Sequence, residues 1–156
     1  MSKTPLPTVN SAVVELEPWP GAPPGFRTRY RELGPLLGGE LIGGSVYEVD
    51  PGERLGPYHY EIGNEECLLV LAGTPTLRHP EGRDVLVVGD MVVFCDGPEG
   101  AHQLINESTA IARVVILSTK REPYACAYPD SNKVSTVAGI FRITDTVEYW
   151  EGESAG

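Results

Sequence analysis

Ala110-Ile111-Ala112-Arg113-Val114-Val115-Ile116-Leu117 lies within residues 101–122, the longest part of the chain free of glycine and proline and so the one place with room for a long helix. On a 3.6-residue period the stretch shows no polar face, and its Val and Ile are β-branched, so it reads as a strand. Elsewhere a helix has less room still. Gly 18 and Pro 14 make up about a fifth of the 156 residues, against a usual share of roughly 12%. Punctuation of that density excludes a helical bundle. Disorder is excluded as well, because 41% of the residues are apolar and they gather in short β-branched runs. The length fits one domain, able to bury roughly 70% of its unfolded surface.

Outward from this stretch the texture is strand and turn. Ile42 to Val49 alternates loosely before Asp50-Pro51-Gly52. Glu66 to Ala72 is almost wholly apolar, which implies a strand covered on both faces. Thr74 to Arg78 and Asp84 to Val88 flank His79-Pro80-Glu81-Gly82-Arg83, a hairpin connection. Met91 to Cys95, His102 to Ile105, Thr109 to Ser118 and Gly139 to Thr146 complete a set of eight or so short strands with no convincing helix, the mark of a β-sandwich or barrel. The first 35 residues hold seven of the fourteen prolines. Such a segment lacks the amide hydrogens of a central strand, so it is expected to form an extended arm over the core, anchored by Trp19, Phe26 and Tyr30. The expected organisation is a Pro-rich arm over 1–35, a barrel over 36–150 and a tail over 151–156.

The net charge is −10, and residues 40–110, with 13 acidic and 3 basic side chains, account for all of it. Binding to DNA or RNA draws on Lys and Arg to replace counterions, so nucleic acid is excluded as a partner, while a bound cation is compatible. The longest wholly apolar run, Cys67 to Ala72, falls far short of the ~20 residues of a membrane span. No charged-then-apolar leader opens the chain, so a cytoplasmic setting is expected. Cys67, Cys95 and Cys126 are scattered without a C-x-x-C pair, which speaks for reduced thiols over a disulfide or cysteine-rich zinc framework.

Chemistry gathers around two histidines. In Gly56-Pro57-Tyr58-His59-Tyr60-Glu61 the strand period sets His59 and Glu61 on one face. Glu65 and Glu66 open the apolar strand, and His102 opens another. Two imidazoles and two carboxylates directed into one cavity suit a divalent metal. Period alone does not choose between Glu65 and Glu66, and a His-x-Glu pair is equally common on solvated strands.

With its gaps counted, the region reads Gly52, six residues, His59, one, Glu61, four, Glu66, six, Gly73. This resembles the first motif of the cupins, usually Gly, five, His, one, His, three or four, Glu, six, Gly. Gly89, five, Cys95, one, Gly97, four, His102, three, Asn106 resembles the second, usually Gly, five, Pro, one, Gly, two, His, three, Asn. Tyr128-Pro129-Asp130 and Tyr149-Trp150 extend the likeness to small single-domain cupins of the cupin_2-like type. The resemblance implies an all-β fold, a double-stranded β-helix (jelly-roll) barrel with a metal inside one end. It also implies the ligands His59, Glu61 in place of the second His, Glu66 rather than Glu65, and His102.

Two carboxylates would neutralise a divalent Zn, Mn, Fe or Ni ion and weaken it as a Lewis acid, which favours a neutral or weakly charged substrate. The rival reading stands Glu61 off the metal as a catalytic general base. Cys95 replaces a motif proline and is expected to alter only a strand end, and the two extra residues before His102 are expected to be absorbed by the loop. His79 is expected to be an exposed turn residue. Arg113, mid-strand, either faces solvent, the usual place for Arg, or lines the cavity and grips a substrate carboxylate. Tyr128 either reaches the pocket rim or pins the C-terminal segment.

The cations of the strand region are Arg54, Arg78 and Arg113, with Arg83 in the hairpin, too few for the cluster that a phosphate wants, which demotes sugar-phosphate isomerase chemistry. The expected function is a metal-dependent enzyme on a small molecule, of isomerase, lyase or dioxygenase type. Against it stand a non-catalytic binding or sensor barrel and a metal-free structural barrel. The resemblance further implies a homodimer.

Overall fold

Residues 112–119 form a strand, and each of its faces carries a buried side chain because each packs on a different layer. The structure, a computed structural model, describes residues 6–144 and 146–154, so the first five residues of the expected arm and the last two of the expected tail lie outside the described residues. In chain order the strands are β1 (Glu17–Pro18), β2 (Thr28–Glu32), β3 (Ile42–Val49), β4 (Arg54–Ile62), β5 (Glu66–Ala72), β6 (Thr76–His79), β7 (Gly82–Val85), β8 (Met91–Phe94), β9 (His102–Ile105), β10 (Ala112–Thr119), β11 (Ala125–Tyr128), β12 (Lys133–Thr136) and β13 (Gly139–Arg142). One short helix, α1 (Gly34–Leu37), and 3-10 turns at Pro98–Gly100 and Pro129–Ser131 complete the described elements.

The strands form two antiparallel sheets, ordered β1-β2-β3-β10-β5-β8 and β13-β12-β11-β4-β9-β6-β7. Val114 points between the sheets, into a core with Val49, Leu68, Val70, Phe94 and Leu104. Val115, one residue on, points outward and packs with Leu33 and Val46 under Val9, Val14 and Leu16 of the N-terminal segment. Period-two alternation with apolar groups on both sides is why the stretch shows no polar face. Leu68 and Leu71 divide β5 between the same two layers. Each such side chain contributes about 1.5–3 kcal/mol by leaving water.

The N-terminal segment is part cover and part sheet. Trp19 lies against Tyr30 and Tyr47, with ring centroids 5.1 and 6.0 Å away. Thr28–Glu32 then joins the sheet beside β3, so the expected arm boundary at residue 35 falls beyond the first sheet strands. Charge hides this strand in the sequence: Arg29 pairs with Glu48 and Asp50, and Arg31 with Glu17, across neighbouring strands. The last expected strand ends at Arg142, short of Thr146. Among the described residues no helix is long and apolar enough to cross a membrane.

Candidate metal centre

The register of β4 and β9 builds the site. His59 stands directly opposite His102, after an irregularity between Leu55 and His59 that re-aims the end of β4. The two imidazole centroids are 4.5 Å apart, and Phe94 stacks on His102 at 3.5 Å and 7°. Glu66, first residue of β5, reaches them from the other sheet. Its Oε2 lies 3.3 Å from His102 Nε2 and 3.7 Å from His59 Nε2. Ligand atoms of His59, Glu66 and His102 all fall within 4.8 Å of one another.

Protonation explains why these atoms face one another. His59 Nδ1 is 2.9 Å from the Pro57 carbonyl and His102 Nδ1 is 2.9 Å from the Gly100 carbonyl. Each ring therefore donates from Nδ1 and turns the lone pair of Nε2 toward Glu66. Glu66 Oε2 and His102 Nε2 are buried with no hydrogen-bond partner. Two acceptors 3.3 Å apart, out of water, repel unless a proton or a cation lies with them. Burial opposes the charge on Glu66, but His102 and His59 outweigh it and hold the carboxyl down at about 2. His59 titrates above its ordinary range: burial works against its charge, and Glu66 more than compensates. The donor set, two neutral imidazoles and one carboxylate, fits a divalent ion.

The loop before β9 fixes His102. The 3-10 turn Pro98–Gly100 takes up the extra residues ahead of it. A Cβ on Gly100 would lie 1.9 Å from the Cys95 carbonyl oxygen, so glycine alone permits the approach that aims the Gly100 carbonyl at Nδ1. Gly97, at φ 93°, donates its N–H to the Glu61 carbonyl at 2.9 Å and ties the loop to β4. Asn106, fully buried, donates from Nδ2 to the Val49 and Ala110 carbonyls, both at 2.7 Å, which gives the motif asparagine a structural role.

Of the four expected ligands, three come together and Glu61 stands beside them. It groups with His59 and Cys126, and burial, then the charge of Glu66, push its pKa up. The expected neutral centre thus requires Glu61 to coordinate; His59, Glu66 and His102 alone leave a divalent ion one positive charge. Tyr128 lies beside the site, its ring centroid 6.1 Å from that of His59. Burial, first, and then Cys126 raise its phenol pKa far above the ordinary range.

Arg113 sits in neither expected setting. On the outer face it pairs with Glu48 at 2.6 Å and donates to the Ser11 and Val14 carbonyls of the N-terminal segment. A cover contributed by residues about 100 positions away turned a solvent-facing position into a half-buried one. His79 is half-buried, with Nε2 3.1 Å from Asp84 across the β6–β7 hairpin, and so is not an exposed turn residue. The cysteines are all free, Cys95 exposed and Cys126 buried.

A cavity of about 530 Å³ is lined by Glu61 and Glu66 together with Glu40, Asn64, Thr119, Lys120, Arg121 and Glu122. The barrel span 36–150 thus holds more cations than the four expected from the sequence, because Lys120, Arg121, Lys133 and Arg142 also fall within it. Asn64 Oδ1 accepts from the Arg121 N–H at 2.7 Å and the Thr119 hydroxyl at 3.0 Å, pinning the segment to the start of β5. Only the pairing of β10 with β5 brings Lys120 and Arg121 to Glu66; nothing in their local sequence marks them.

No family model matches the chain, and no curated protein does so significantly. Solved structures do. A sugar phosphate isomerase of the cupin superfamily from Silicibacter pomeroyi superposes with a TM-score of 0.72 at 23% identity, over 86% of this chain and 90% of that one. The polyketide cyclase RemF from Streptomyces resistomycificus gives 0.59 at 21%, over 80% and 84%. A protein with a double-stranded β-helix domain from Klebsiella pneumoniae gives 0.50 at 16%, over 57% and 76%. The fold of this chain is the double-stranded β-helix that these proteins share.

Proposed function

We propose that this chain, a cupin in fold, is a divalent-metal-dependent enzyme that acts on a small molecule at the His59–Glu66–His102 end of its barrel. The observation that carries the reading is the buried facing pair, Glu66 Oε2 and His102 Nε2, left without partners. Folding places them out of water, and a divalent Zn, Mn, Fe or Ni ion held by His59, Glu66 and His102 removes the mismatch. Such an ion supplies Lewis-acid polarisation of an oxygen on the bound molecule.

The chain's own residues supply proton transfer. Glu61 borders the cavity, and burial raises its pKa, the direction that makes a carboxylate a stronger base. Lys120 and Arg121 line the same cavity beside four carboxylates, Glu40, Glu61, Glu66 and Glu122, and suit an anionic group on the substrate once a bound cation offsets that negative charge. Their presence restores the sugar-phosphate class that the sequence reading demoted, and the likeness to a sugar phosphate isomerase supports the isomerase type. An intramolecular proton shift α to a carbonyl, with Glu61 as the base, is the reaction favoured.

Solvent deuterium reads this directly. Metal-loaded protein incubated in D2O with a panel of aldose and ketose phosphates is expected to exchange a carbon-bound hydrogen in at least one of them. Glu61→Gln is expected to slow that exchange by about 10²–10⁴-fold. Tight binding of a panel member without exchange would instead make the barrel a non-catalytic binder or sensor.

A further inference from the structure

Glu61 has a metal-ligand neighbourhood of its own. β11 pairs with β4 so that Cys126 stands opposite Glu61, and cross-strand partners share a face. One ligand atom from each of His59, Glu61 and Cys126 lies within 4.8 Å of the other two. Cys126 is only 7% exposed. Burial, with Glu61 and Glu66 near, pushes its thiol up to about 12, so it is a neutral S–H unless a cation takes the place of the proton.

His59 belongs to both groups, and its Nδ1 is committed to the Pro57 carbonyl. It has one lone pair left to give. The two groups also differ in kind: two imidazoles and a carboxylate in one, an imidazole, a carboxylate and a thiol in the other. Thiolate selects soft ions, whereas a set without sulfur serves harder ones.

We propose that the barrel offers two alternative cation positions that share His59, a harder one completed by Glu66 and His102 and a softer one completed by Glu61 and Cys126. Occupying the second displaces the thiol proton to solvent as the sulfur–metal bond forms. It also makes Glu61 a ligand. The identity of the ion therefore decides whether Glu61 is free to take a proton, and a soft ion such as Cd²⁺ at Cys126 silences the base. The first position rests on the reading under Proposed function; the second stands on the Cys126 group alone.

The test titrates metal-free full-length protein with Cd²⁺, followed by the near-ultraviolet thiolate-to-cadmium charge-transfer band, and separately with Mn²⁺, followed by electron paramagnetic resonance. The band is expected in wild type and in Glu66→Gln and is expected to vanish in Cys126→Ser. Mn²⁺ affinity is expected to fall about tenfold or more in Glu66→Gln and to hold within about twofold in Cys126→Ser, which also shows that this variant is folded. Cd²⁺ is expected to displace bound Mn²⁺ one for one. If Cys126→Ser loses Mn²⁺ binding through misfolding, Glu61→Gln decides, with Cd²⁺ weakened about tenfold and Mn²⁺ spared. A band that survives Cys126→Ser, or both ions bound together on one chain, overturns the proposal. A cadmium band with no manganese binding removes the first position, and with it the metal reading above, whereas manganese binding with no band removes only the second.

Discussion

Two regions of this barrel draw a carboxylate against a nitrogen-bearing side chain away from bulk water, and they finish the pairing differently. Under the N-terminal segment, Arg113 meets Glu48 at 2.6 Å, and its remaining nitrogens reach the Ser11 and Val14 carbonyls at 3.0 and 2.9 Å. Each of its three nitrogens has an acceptor from the chain. At the other site Glu66 Oε2 and His102 Nε2 face one another with no partner at all. A cluster that the chain completes by itself holds the chain together. A cluster still incomplete after folding needs something from outside, which is the physical difference between a structural ion pair and a binding site.

The comparison breaks most severely at Glu66. Glu66→Gln is expected to lower divalent-metal affinity about a hundredfold, close to 2.7 kcal/mol at about 1.4 kcal/mol per tenfold. It is also expected to lower the thermal stability of the metal-free protein near neutral pH, because His102 and His59 hold the Glu66 carboxyl down at about 2, and the two proteins are expected to converge as pH falls toward that value. Calorimetric titration and melting curves across pH on the same samples check both halves. Arg113→Ala is the contrasting case. It leaves Glu48 with Arg29 alone and unfastens the N-terminal segment, so urea denaturation is expected to show a loss of about 2 kcal/mol, with metal affinity held within twofold.

Gly100→Ala sharpens the comparison from the side of positioning. The clash with the Cys95 carbonyl displaces the acceptor of His102 Nδ1, and metal affinity is expected to fall about tenfold by titration. The smallest effect belongs to an ion pair in water. Arg78 holds the carboxyl of Asp130 below its ordinary range, both groups being well exposed. A depressed carboxylate stabilises above its ordinary range and loses the effect as pH falls through its folded value. Asp130→Asn is therefore expected to cost under about 1 kcal/mol near neutral pH, with the two proteins converging in acid when melts are compared across pH.

The sequence made one of these two regions legible and left the other hidden. The β-branched stretch 110–117, with no polar face, announced a strand, and the apolar run 66–72 a strand covered on both sides; the structure supplies the two layers. The motif spacing named His59, Glu66 and His102; the β4–β9 register brings the two histidines together, and Glu66 reaches them from β5 of the other sheet. Glu61 was harder to place, because its company depends on β11, a strand that the sequence reading did not mark, and on an irregularity in β4. Cys126 was hidden for the same reason. Arg113 was misjudged because its partners come from the first fifteen residues, and no local pattern records a contact of that range. Lys120 and Arg121 likewise owe their place to the pairing of β10 with β5.

The central claim is that the partnerless pair is a metal site. Elemental mass spectrometry on untagged wild type beside His102→Ala tests it most directly. The account predicts a near-stoichiometric divalent metal in the wild type that is lost in the variant. Wild-type protein that is empty as purified, and stays empty after metal is offered, would contradict it.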